Sequence, residues 1–527
     1  MGKFADKLAV KNPAFQRAYL GHYAPNLVKS GKLEKYYQTL ADFDFLAAKI
    51  NHPEFGVQAL IEDYDLADTP EAATQPEYDP EKAEALKCIQ GALRLSGHIL
   101  AEERSQLAGQ LLGRLLPSSA GEFWEEQHKY RYFWQYIPWI GRFLPKYPQK
   151  PKPQNISQPL VQDLVEQAKQ CKYKPWLRPL TGSLTNPNEA LLRTLTGHSH
   201  SVNAVAVTPD GKLAISGSRD NTLKIWNLAT GELRHTLAGH SLSVNAVAVT
   251  PDGKLAISGS RDNTLKIWNL ATGELRHTLT GHSHSVNAVA VTPDGKLAIS
   301  GSRDNTLKIW NLATGELLRT LTGHSHSVNA VAVTPDGKLA ISGSGDNTLK
   351  IWNLATGKLL RTLTGHSLWV NAVAVAPDGK LAISGSYDDT LKIWNLVTGE
   401  LRHTLTGHSH SVDAIAVTPD GKLAISGSYD NTLKIWNLAT GELRHTLTGH
   451  SHSVDAIAVT PDGKLAISGS YDNTLKIWNL KTGEVIATFT GESPLLCCAV
   501  APDGVTIVAG EVSGRVHFLR LEGIASP

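Results

Sequence analysis

The feature that most constrains this chain is a segment that returns seven times with little change. The pair Gly-His recurs every 42 residues, and a Trp-Asn pair keeps the same spacing. The first copy runs from Gly197 to Ala238. A fixed period of this length indicates stacked supersecondary units, because one such unit cannot bury its apolar face alone. The sequence therefore predicts a repeat architecture for most of the chain.

Each copy contains the pattern of four short strands. The segments SVNAVAV and KLAISGS have strand length and are joined by a Pro-Asp-Gly turn, and TLKIWNL and LRHTL follow. Four strands without a helical pattern are typical of one blade of a β-propeller. The period, the Gly-His pair and the tryptophan that closes the third strand resemble the WD40 repeat, here written Trp-Asn instead of Trp-Asp.

The number of blades follows from the Pro-Asp-Gly turns, which begin at Pro209, Pro251, Pro293, Pro335, Pro377, Pro419, Pro461 and Pro502. We expect a closed eight-bladed propeller over residues 191–527, because an open ring would expose strand edges. Leu191–Thr196 would complete the blade that the C-terminal strands begin. The closing copy has drifted at four positions: Glu492, Ala509, Ser513 and Leu519. A seven-bladed ring with one unit outside it is the alternative.

The chain before the repeats predicts an α-helical arm over residues 1–117, so the fold class is α plus all-β. Apolar residues at helical spacing predict short helices, one of them across residues 32–50. Residues 118–190 combine an aromatic-rich helical segment with a proline-rich linker. Residues 121–148 fit a stacking surface for single-stranded nucleic acid, an interfacial membrane helix, or a helix that packs in a core or docks onto another domain. The packing or docking helix is favoured, since aromatic stripes at helical spacing usually pack in cores.

A second resemblance concerns this arm. Three segments resemble the helical arm of STAND (NB-ARC) signalling proteins of the apoptotic-protease-activating-factor type. They are HYAPNLVKSGKLEKYYQTLADFDFLAAKI, LRLSGHILAEERSQLAGQLLGRL and PWLRPLTGSLT, with LLRTLTGH after them. The resemblance covers residues 14–117 and 158–190. It implies a sensor attached to an NTPase. However, the chain has no G-x-x-x-x-G-K-[ST] motif, so the NTPase activity is not carried over.

Composition limits the partners and the compartment. Lys and Arg total 51 and Asp and Glu total 49, so no global field draws the protein to nucleic acid or to an anionic membrane, and neither is expected as a partner. Four cysteines are too few to stabilise a chain of 527 residues through disulfide bonds, and a reducing compartment fits them best. With no apolar run of signal-peptide length at the start, we expect a cytoplasmic protein.

The repeated polar residues have an interpretation that the WD40 resemblance implies: a structural tetrad of His, Ser, Asp and Trp in each intact copy. A buried carboxylate, imidazole, hydroxyl and indole would satisfy one another's hydrogen bonds. The matching residues are His198, Ser216, Asp220, Trp226, His240, Ser258, Asp262, Trp268, His282, Ser300, Asp304, Trp310, His324, Ser342, Asp346, Trp352, His366, Ser384, Asp388, Trp394, His408, Ser426, Asp430, Trp436, His450, Ser468, Asp472 and Trp478.

Catalysis and metal binding are the competing interpretations of these residues. The His-Ser-His triplets suggest ligands, but no cysteine or carboxylate accompanies them at ligand spacing. We therefore predict no metal, no cofactor and no catalytic residue. The chain also has no nucleophile elbow, no H-E-x-x-H and no phosphate loop, so we expect that it is not an enzyme. An uncharacterised enzyme is the remaining alternative.

The informative positions are those at which near-identical copies differ. The residue before the tetrad Asp is Arg in three consecutive copies, then Gly345, then Tyr in three. The residue five after the tetrad His is Asn in five copies and then Asp in two. Tyr, Trp and Arg dominate interface hot spots, so these positions form our candidate partner-binding set: Arg219, Arg261, Arg303, Trp369, Tyr387, Tyr429, Tyr471, Asp413 and Asp455. Drift among recently duplicated copies is the alternative.

These observations predict a non-enzymatic scaffold or sensor that binds a protein or peptide on the central face of the propeller. The STAND resemblance suggests a narrower alternative. In it, the chain is the sensor half of a split signalling complex and works with a separately encoded NTPase or caspase-like protease.

Overall fold

A computed structural model describes residues 8, 10–116, 159–171, 176–180, 184 and 197–523. The chain divides into two compact units, one formed by Met1–Thr196 with Leu521–Pro527 and the other by Gly197–Arg520. Three features predicted from the sequence lie outside the described residues: the aromatic segment 121–148, the proline-rich linker that follows it, and the strand Leu191–Thr196.

The first unit is mainly helical where it is described. Its helices are α1 (Pro13–Lys29), α2 (Leu33–Leu40), α3 (Phe43–Asn51), α4 (Gly56–Asp65), α5 (Pro70–Ala73), α6 (Pro80–Leu95), α7 (Gly97–Glu102), α8 (Leu107–Leu115) and α9 (Pro159–Lys169), with 3-10 turns at Leu66–Asp68 and Arg104–Gln106. They share one core, in which Tyr36, Leu46, Leu86 and Leu164 are completely or almost completely buried. None of the helices in the described ranges is long and apolar enough to cross a membrane.

The helix expected across residues 32–50 forms two helices, α2 and α3. The Asp42 carboxylate accepts a hydrogen bond from the Phe45 amide at 2.8 Å and so caps the start of α3. A side chain that satisfies a free amide at a helix start favours a new helix at that point. The apolar periodicity runs through both helices, so periodicity alone does not show the break.

The second unit is built from four-stranded antiparallel sheets, one for each blade. The strands are Val202–Val207, Leu213–Ser218, Thr222–Asn227 and Leu233–Ala238 in blade 1; Val244–Val249, Leu255–Ser260, Leu265–Asn269 and Leu275–Leu279 in blade 2; Val286–Val291, Leu297–Ser302, Leu307–Asn311 and Leu317–Leu321 in blade 3; Val328–Val333, Leu339–Ser344, Leu349–Asn353 and Leu359–Leu363 in blade 4; Val370–Val375, Leu381–Ser386, Leu391–Asn395 and Leu401–Leu405 in blade 5; Val412–Val417, Leu423–Ser428, Leu433–Asn437 and Leu443–Leu447 in blade 6; Val454–Val459, Leu465–Ser470, Thr474–Asn479 and Val485–Thr490 in blade 7; and Leu495–Val500, Thr506–Glu511 and Val516–Glu522 in blade 8.

The first strands of the blades form a closed ring. Each packs against the first strands of its two neighbours, and the first strand of blade 8 contacts those of blades 7 and 1. The prediction of a closed eight-bladed propeller is confirmed, and the alternative of seven blades with one unit outside the ring is wrong. The physical reason is that the drifted copy keeps the apolar strand pattern on which ring closure depends, as in Leu495–Val500.

The fourth strand of the eighth sheet is Trp176–Pro179, next to Val516–Glu522 in the strand order. The sequence favours Leu191–Thr196 there because LLRTL repeats the fourth strand of blades 3 and 4. The four-residue segment Trp-Leu-Arg-Pro ends in proline and carries no repeat signature, so the sequence does not mark it as a strand. Trp176 and Leu177 are buried, and Arg178 forms an ion pair with Glu522 at 2.9 Å.

Apolar side chains fill the space between neighbouring blades. Ile215 and Leu223 of blade 1 pack with Val244 and Trp268 of blade 2, and the same layer recurs between successive blades up to blade 7. The approach is close: a Cβ atom added to Gly217 would lie 2.7 Å from Val244 Cγ1. The glycine at this point of the second strand therefore has a packing role, since any side chain there would push the blades apart.

The propeller unit has two faces that differ in chemistry. The start of each first strand pairs with the end of the second strand, as in Val202 with Ser218. We call the side that carries these ends the rim face. The Pro-Asp-Gly turns leave the opposite ends of the same strands, and we call that side the turn face. Both the tetrads and the candidate partner-binding residues are on the rim side of the blades.

Candidate functional site

Directly below the rim face, the tetrad side chains are hydrogen-bonded to one another in all seven intact blades. In blade 1, His198 Nδ1 lies 2.9 Å from Asp220 Oδ2, and His198 Nε2 lies 2.7 Å from Ser216 Oγ. The Trp226 indole donates to the same hydroxyl at 2.8 Å. A carboxylate can only accept, so Nδ1 carries the imidazole proton and Nε2 accepts from the serine. The same contacts recur up to blade 7, from His240 to Trp478.

The surroundings of the blade 1 tetrad suit a network with fixed protonation. Burial lowers the pKa of His198, which favours the neutral ring. Burial by itself would raise the pKa of Asp220, but hydrogen bonds and charge from His198, together with hydrogen bonds from Thr222, hold that pKa well below its usual range. The His198 side chain is 0% exposed, and both of its ring nitrogens already have hydrogen-bond partners within the tetrad. Among the described residues, no group of His, Cys, Asp or Glu is arranged to hold a metal ion.

Blade 8 replaces the tetrad with a different buried pair, which the sequence reasoning missed. His517 Nε2 lies 2.8 Å from Glu511 Oε1, and both side chains are 0% exposed. The same carboxylate accepts from the Glu492 amide at 2.9 Å and from the Ser493 hydroxyl at 3.3 Å. Burial alone would raise the pKa of Glu511, but the electrostatic attraction and hydrogen bond of His517 lower it below its usual value.

A sequence signal for this pair did exist. In the strand register, Glu511 occupies the position of Ser470 in blade 7, and His517 occupies that of Lys476. The two replacements in one blade indicate that the new histidine pairs with the new glutamate, because an unpaired buried carboxylate would be strongly unfavourable. Comparison of the copies at these two positions would have found it.

The candidate partner-binding positions lie side by side on the rim face of each blade. The backbone amide of the residue before the tetrad Asp donates to the carbonyl of the residue three after the tetrad His. The bond joins Arg219 to Ser201, Tyr387 to Trp369 and Tyr471 to Ser453, at 2.9 to 3.0 Å. The structure therefore brings together pairs of positions that are 18 residues apart. The three arginines, the three tyrosines and Trp369 are all exposed.

A ring of asparagines joins the first strands of neighbouring blades. The Asn203 amide donates to the Val244 carbonyl of blade 2 at 2.8 Å, and Asn245, Asn287 and Asn329 repeat this bond to the next blade at 3.0 to 3.2 Å. In blade 8, Leu496 occupies this position, and the adjacent Cys497 thiol donates to the Val202 carbonyl at 3.4 Å instead. All four cysteines are free of disulfides.

Asp413 and Asp455 interrupt the asparagine ring, because a carboxylate has no hydrogen to donate to the next blade. Asp413 instead accepts from the Asn371 amide at 2.7 Å and from the Ser411 hydroxyl at 3.0 Å. Asp455 is partly buried, and its Oδ2 atom is buried without a hydrogen-bond partner in the described structure. Burial and the negative charge of Asp413 raise the pKa of Asp455 to about 7, although Ser453 lowers it in part.

Aromatic side chains share the rim face of blades 5 to 7 with these two acids. The rings of Trp369 and Tyr387 meet edge to face with centroids 5.8 Å apart. A Cβ atom at Gly345 would lie 3.8 Å from the Trp369 ring, so the indole lies over the blade that has no side chain at this position. Burial raises the pKa of Tyr429, and the charges of Asp455 and Asp413 add to the rise. We call Trp369, Tyr387, Tyr429, Tyr471, Asp413 and Asp455 the acid–aromatic sector.

The arginines are on the other side of the ring from this sector. Arg219, Arg261 and Arg303 belong to blades 1 to 3, whereas the acid–aromatic sector belongs to blades 5 to 7. Blades four apart face each other across a ring of eight, so blade 2 lies opposite blade 6. The rim face therefore has a basic arc and an opposing acidic and aromatic arc, separated by Gly345 in blade 4 and by Val512 in blade 8.

Replacing Asp455 with Asn should stabilise the protein at pH 8 by on the order of 2 kcal/mol, about half the full value of the pKa shift, because the side chain is partly exposed and solvent screens its charge. The pKa of Asp455 rises from 3.8 to about 7 on folding, so ionisation is penalised only in the folded state. This penalty is absent below about pH 4, grows as the pH rises and is complete above about pH 7. Asparagine does not titrate and also restores a donor towards blade 8. Denaturant midpoints at pH 4 and pH 8 measure the difference.

Asp462→Asn is the matched control, because Asp462 is in the same blade but on the turn face, where its pKa is lowered rather than raised. This variant should show no gain at pH 8. A stability difference between the wild type and Asp455→Asn that does not widen with pH would contradict the assignment of Asp455 as a destabilised carboxylate.

Comparison with known proteins places these features in a family. The profile of the family "WD domain, G-beta repeat" matches residues 189–227, 231–269, 273–311, 315–353, 357–395, 399–437 and 441–479. The computationally designed Ika8 protein, a solved structure, has a TM-score of 0.57 and 30% identity to this chain. The match covers 62% of this chain and 98% of the designed one.

Curated relatives match over short stretches only. The small ribosomal subunit protein RACK1y of Oryza sativa subsp. japonica is 46% identical over 59 residues, which are 10% of this chain and 18% of that protein. RACK1 of Dictyostelium discoideum is 49% identical over 47 residues, or 9% and 14% of the two chains. The chain therefore spans less than a fifth of the length of these relatives. With seven matched repeats over more than half of its length, the chain belongs to the WD40 family.

Proposed function

We propose that this protein is a non-enzymatic scaffold or sensor that binds a protein or peptide on the rim face of its propeller. WD40 propellers are typically protein-interaction scaffolds, which agrees with this function. One observation carries the proposal: the buried frame is nearly identical in seven blades, whereas the exposed rim positions differ in two contiguous arcs. Arg, Tyr and Trp are the side chains that contribute most to interface energies.

Reversing the charge of the basic arc should weaken partner capture. In a pull-down from native lysate, the triple variant Arg219→Glu, Arg261→Glu and Arg303→Glu should lose most of the bound partner. Three arginines that meet an acidic or polar surface would become three repulsive contacts. Quantitative mass spectrometry of the captured proteins, with wild type and variant in parallel, measures the loss.

The control reverses the same number of charges in the same blades on the other face: Lys212→Glu, Lys254→Glu and Lys296→Glu. These lysines follow the Pro-Asp-Gly turns and are 78–79% exposed. The control should capture the partner as well as the wild type does. Equal capture by both triple variants would remove the basic arc from the binding surface and favour drift as the source of the differences.

The STAND resemblance of the N-terminal arm supports a narrower proposal. The chain would be the sensor half of a split complex in the cytoplasm, and its partner would be a separately encoded NTPase or caspase-like protease. The helical arm segments and the missing G-x-x-x-x-G-K-[ST] motif favour this version. Recovery of such an NTPase or protease by the wild type, and its loss from the rim variant, would support it. Recovery of unrelated partners would favour a plain scaffold.

A further inference from the structure

We infer that the acid–aromatic sector binds the lysine or arginine side chain of a peptide, with Asp413 and Asp455 accepting its hydrogen bonds and the aromatic rings of the sector packing around the cation. This inference rests on the proposed function, because it specifies the chemistry of the partner at one part of the rim face. The two proposals can be tested separately, because the basic arc and the acid–aromatic sector lie on opposite sides of the ring.

The first argument is the hydrogen-bonding mismatch in blades 6 and 7. Five blades carry Asn at this position, and four of these asparagines donate to the backbone of the next blade. Asp413 and Asp455 cannot do so, and Asp455 Oδ2 is a buried acceptor without a partner in the described part of the chain. An ammonium or guanidinium group offers what the site lacks, since it carries only donors. Its positive charge also offsets two neighbouring carboxylates.

The second argument is the surface around these acids. The exposed fractions are 56% for Trp369, 47% for Tyr387, 51% for Tyr429 and 47% for Tyr471. Neighbouring blades thus present four large rings that are half open to solvent. Ring faces attract cations, and the attraction strengthens as the cation loses water. Tyr429 is near enough to both acids and to Tyr387 and Tyr471 to interact with them electrostatically, and the Trp369 ring contacts that of Tyr387.

The third argument is charge complementarity around the ring. The sector carries two carboxylates, and the position before the tetrad Asp is Tyr in all three of its blades. In blades 1 to 3 the same position is Arg, and the inner ring is Asn. The charge difference between the two arcs therefore comes from substitutions at equivalent places in an otherwise repeated frame. A basic side chain is attracted to blades 5 to 7 and repelled from blades 1 to 3.

Fluorescence anisotropy with defined peptides tests this inference on the full chain. The probes are labelled octalysine and octaarginine, with octaglutamate as the probe of opposite charge. At least one basic probe should bind the wild type more tightly than a Kd of about 1 mM. The double variant Asp413→Asn and Asp455→Asn should lower that affinity about tenfold or more, and Tyr429→Leu should lower it about two- to fivefold. The octaglutamate probe should not lose affinity in the double variant.

Asp420→Asn with Asp462→Asn is the matched control. These aspartates are in the same two blades on the turn face, and an amide oxygen can still accept the hydrogen bonds from Thr418 and Lys422 that Asp420 now accepts. The control makes the same charge change, so it should keep the wild-type affinity. Asn at 413 and 455 already stands at the equivalent position of five other blades, so loss of binding by that variant would not reflect misfolding.

Two outcomes would overturn the inference: no basic probe binds the wild type, or the rim-face and turn-face double variants bind equally. Neither outcome would remove the proposed function. If the wild type still captures a partner that the arginine-reversal variant loses, then the rim face binds proteins through its basic arc and the acid–aromatic sector is not part of the site.

Discussion

Replacing Glu511 with Leu should destabilise the propeller by about 3–5 kcal/mol, because the variant removes a buried carboxylate on which several buried donors depend. The change removes the acceptor of the His517 imidazole, the Glu492 amide and the Ser493 and Ser513 hydroxyls. Because blade 8 closes the ring, its loss would also expose the first strands of blades 7 and 1. Denaturant unfolding followed by tryptophan fluorescence measures the change.

The double variant Glu511→Leu with His517→Phe separates the pair from the packing around it. With both polar groups gone, no imidazole is left buried without the acceptor of its Nε2 atom, so the double variant should be more stable than the single one. Glu484→Ala, an exposed site in the neighbouring blade, should change stability by less than about 1 kcal/mol. A cost below about 1 kcal/mol for Glu511→Leu would mean that the pair is not the brace of blade 8.

Replacing Asp388 with Ala should cost about 2–4 kcal/mol. Asp388 accepts from His366 at 2.8 Å, from the Ser367 amide at 2.9 Å, and from the Thr390 amide and hydroxyl at 3.1 and 2.6 Å. The variant leaves a buried imidazole without its acceptor and frees two loops of the rim face. The difference in unfolding free energy between the wild type and Asp388→Ala should disappear at low pH, which is a further check. Hydrogen bonds from His366 and Thr390 lower the pKa of Asp388 despite burial, so the folded state favours the ionised carboxylate. Its contribution is therefore present near neutral pH and lost as the carboxylate is protonated.

Asp378→Ala is the matched control for this prediction. Asp378 is an exposed turn residue of the same blade, and its Oδ1 atom accepts from the Lys380 amide at 2.9 Å. Its removal should cost less than about 1 kcal/mol. If both variants unfold at the same denaturant concentration, the tetrad of blade 5 contributes no more than an ordinary turn.

The acid–aromatic sector shows how stability and binding can conflict at one place. We expect Asp455 to weaken the folded state near neutral pH, because its pKa is raised, yet five other copies carry Asn at the same position. Natural proteins accept such costs where a site serves function. The pH-dependent stability of Asp455→Asn and the peptide affinity of the double variant therefore test two consequences of one substitution: a gain in stability and a loss of binding.

The amino-acid sequence by itself determines much of this protein, because its copies can be compared with one another. The 42-residue period, the Pro-Asp-Gly turns and the strand patterns predict eight blades, since each blade depends on local signals that every copy repeats. The same comparison selects the rim positions where the copies differ. It does not find the Asp42 cap that divides the helix expected across residues 32–50, because the apolar periodicity continues through the break.

Three features of this protein are visible only in the tertiary structure, because they depend on contacts that form when the strands and blades come together. The fourth strand of the eighth sheet is Trp176–Pro179, which no repeat signature marks. The Glu511–His517 pair replaces a tetrad through two side chains that meet only when their strands pair. One oxygen of Asp455 has no hydrogen-bond partner among the described residues, and this depends on how blade 7 meets its neighbours. The repeated sequence determines the strands and tetrads that the blades share. At the positions where the copies differ, the burial of each side chain and its hydrogen-bond partners depend on the closed ring.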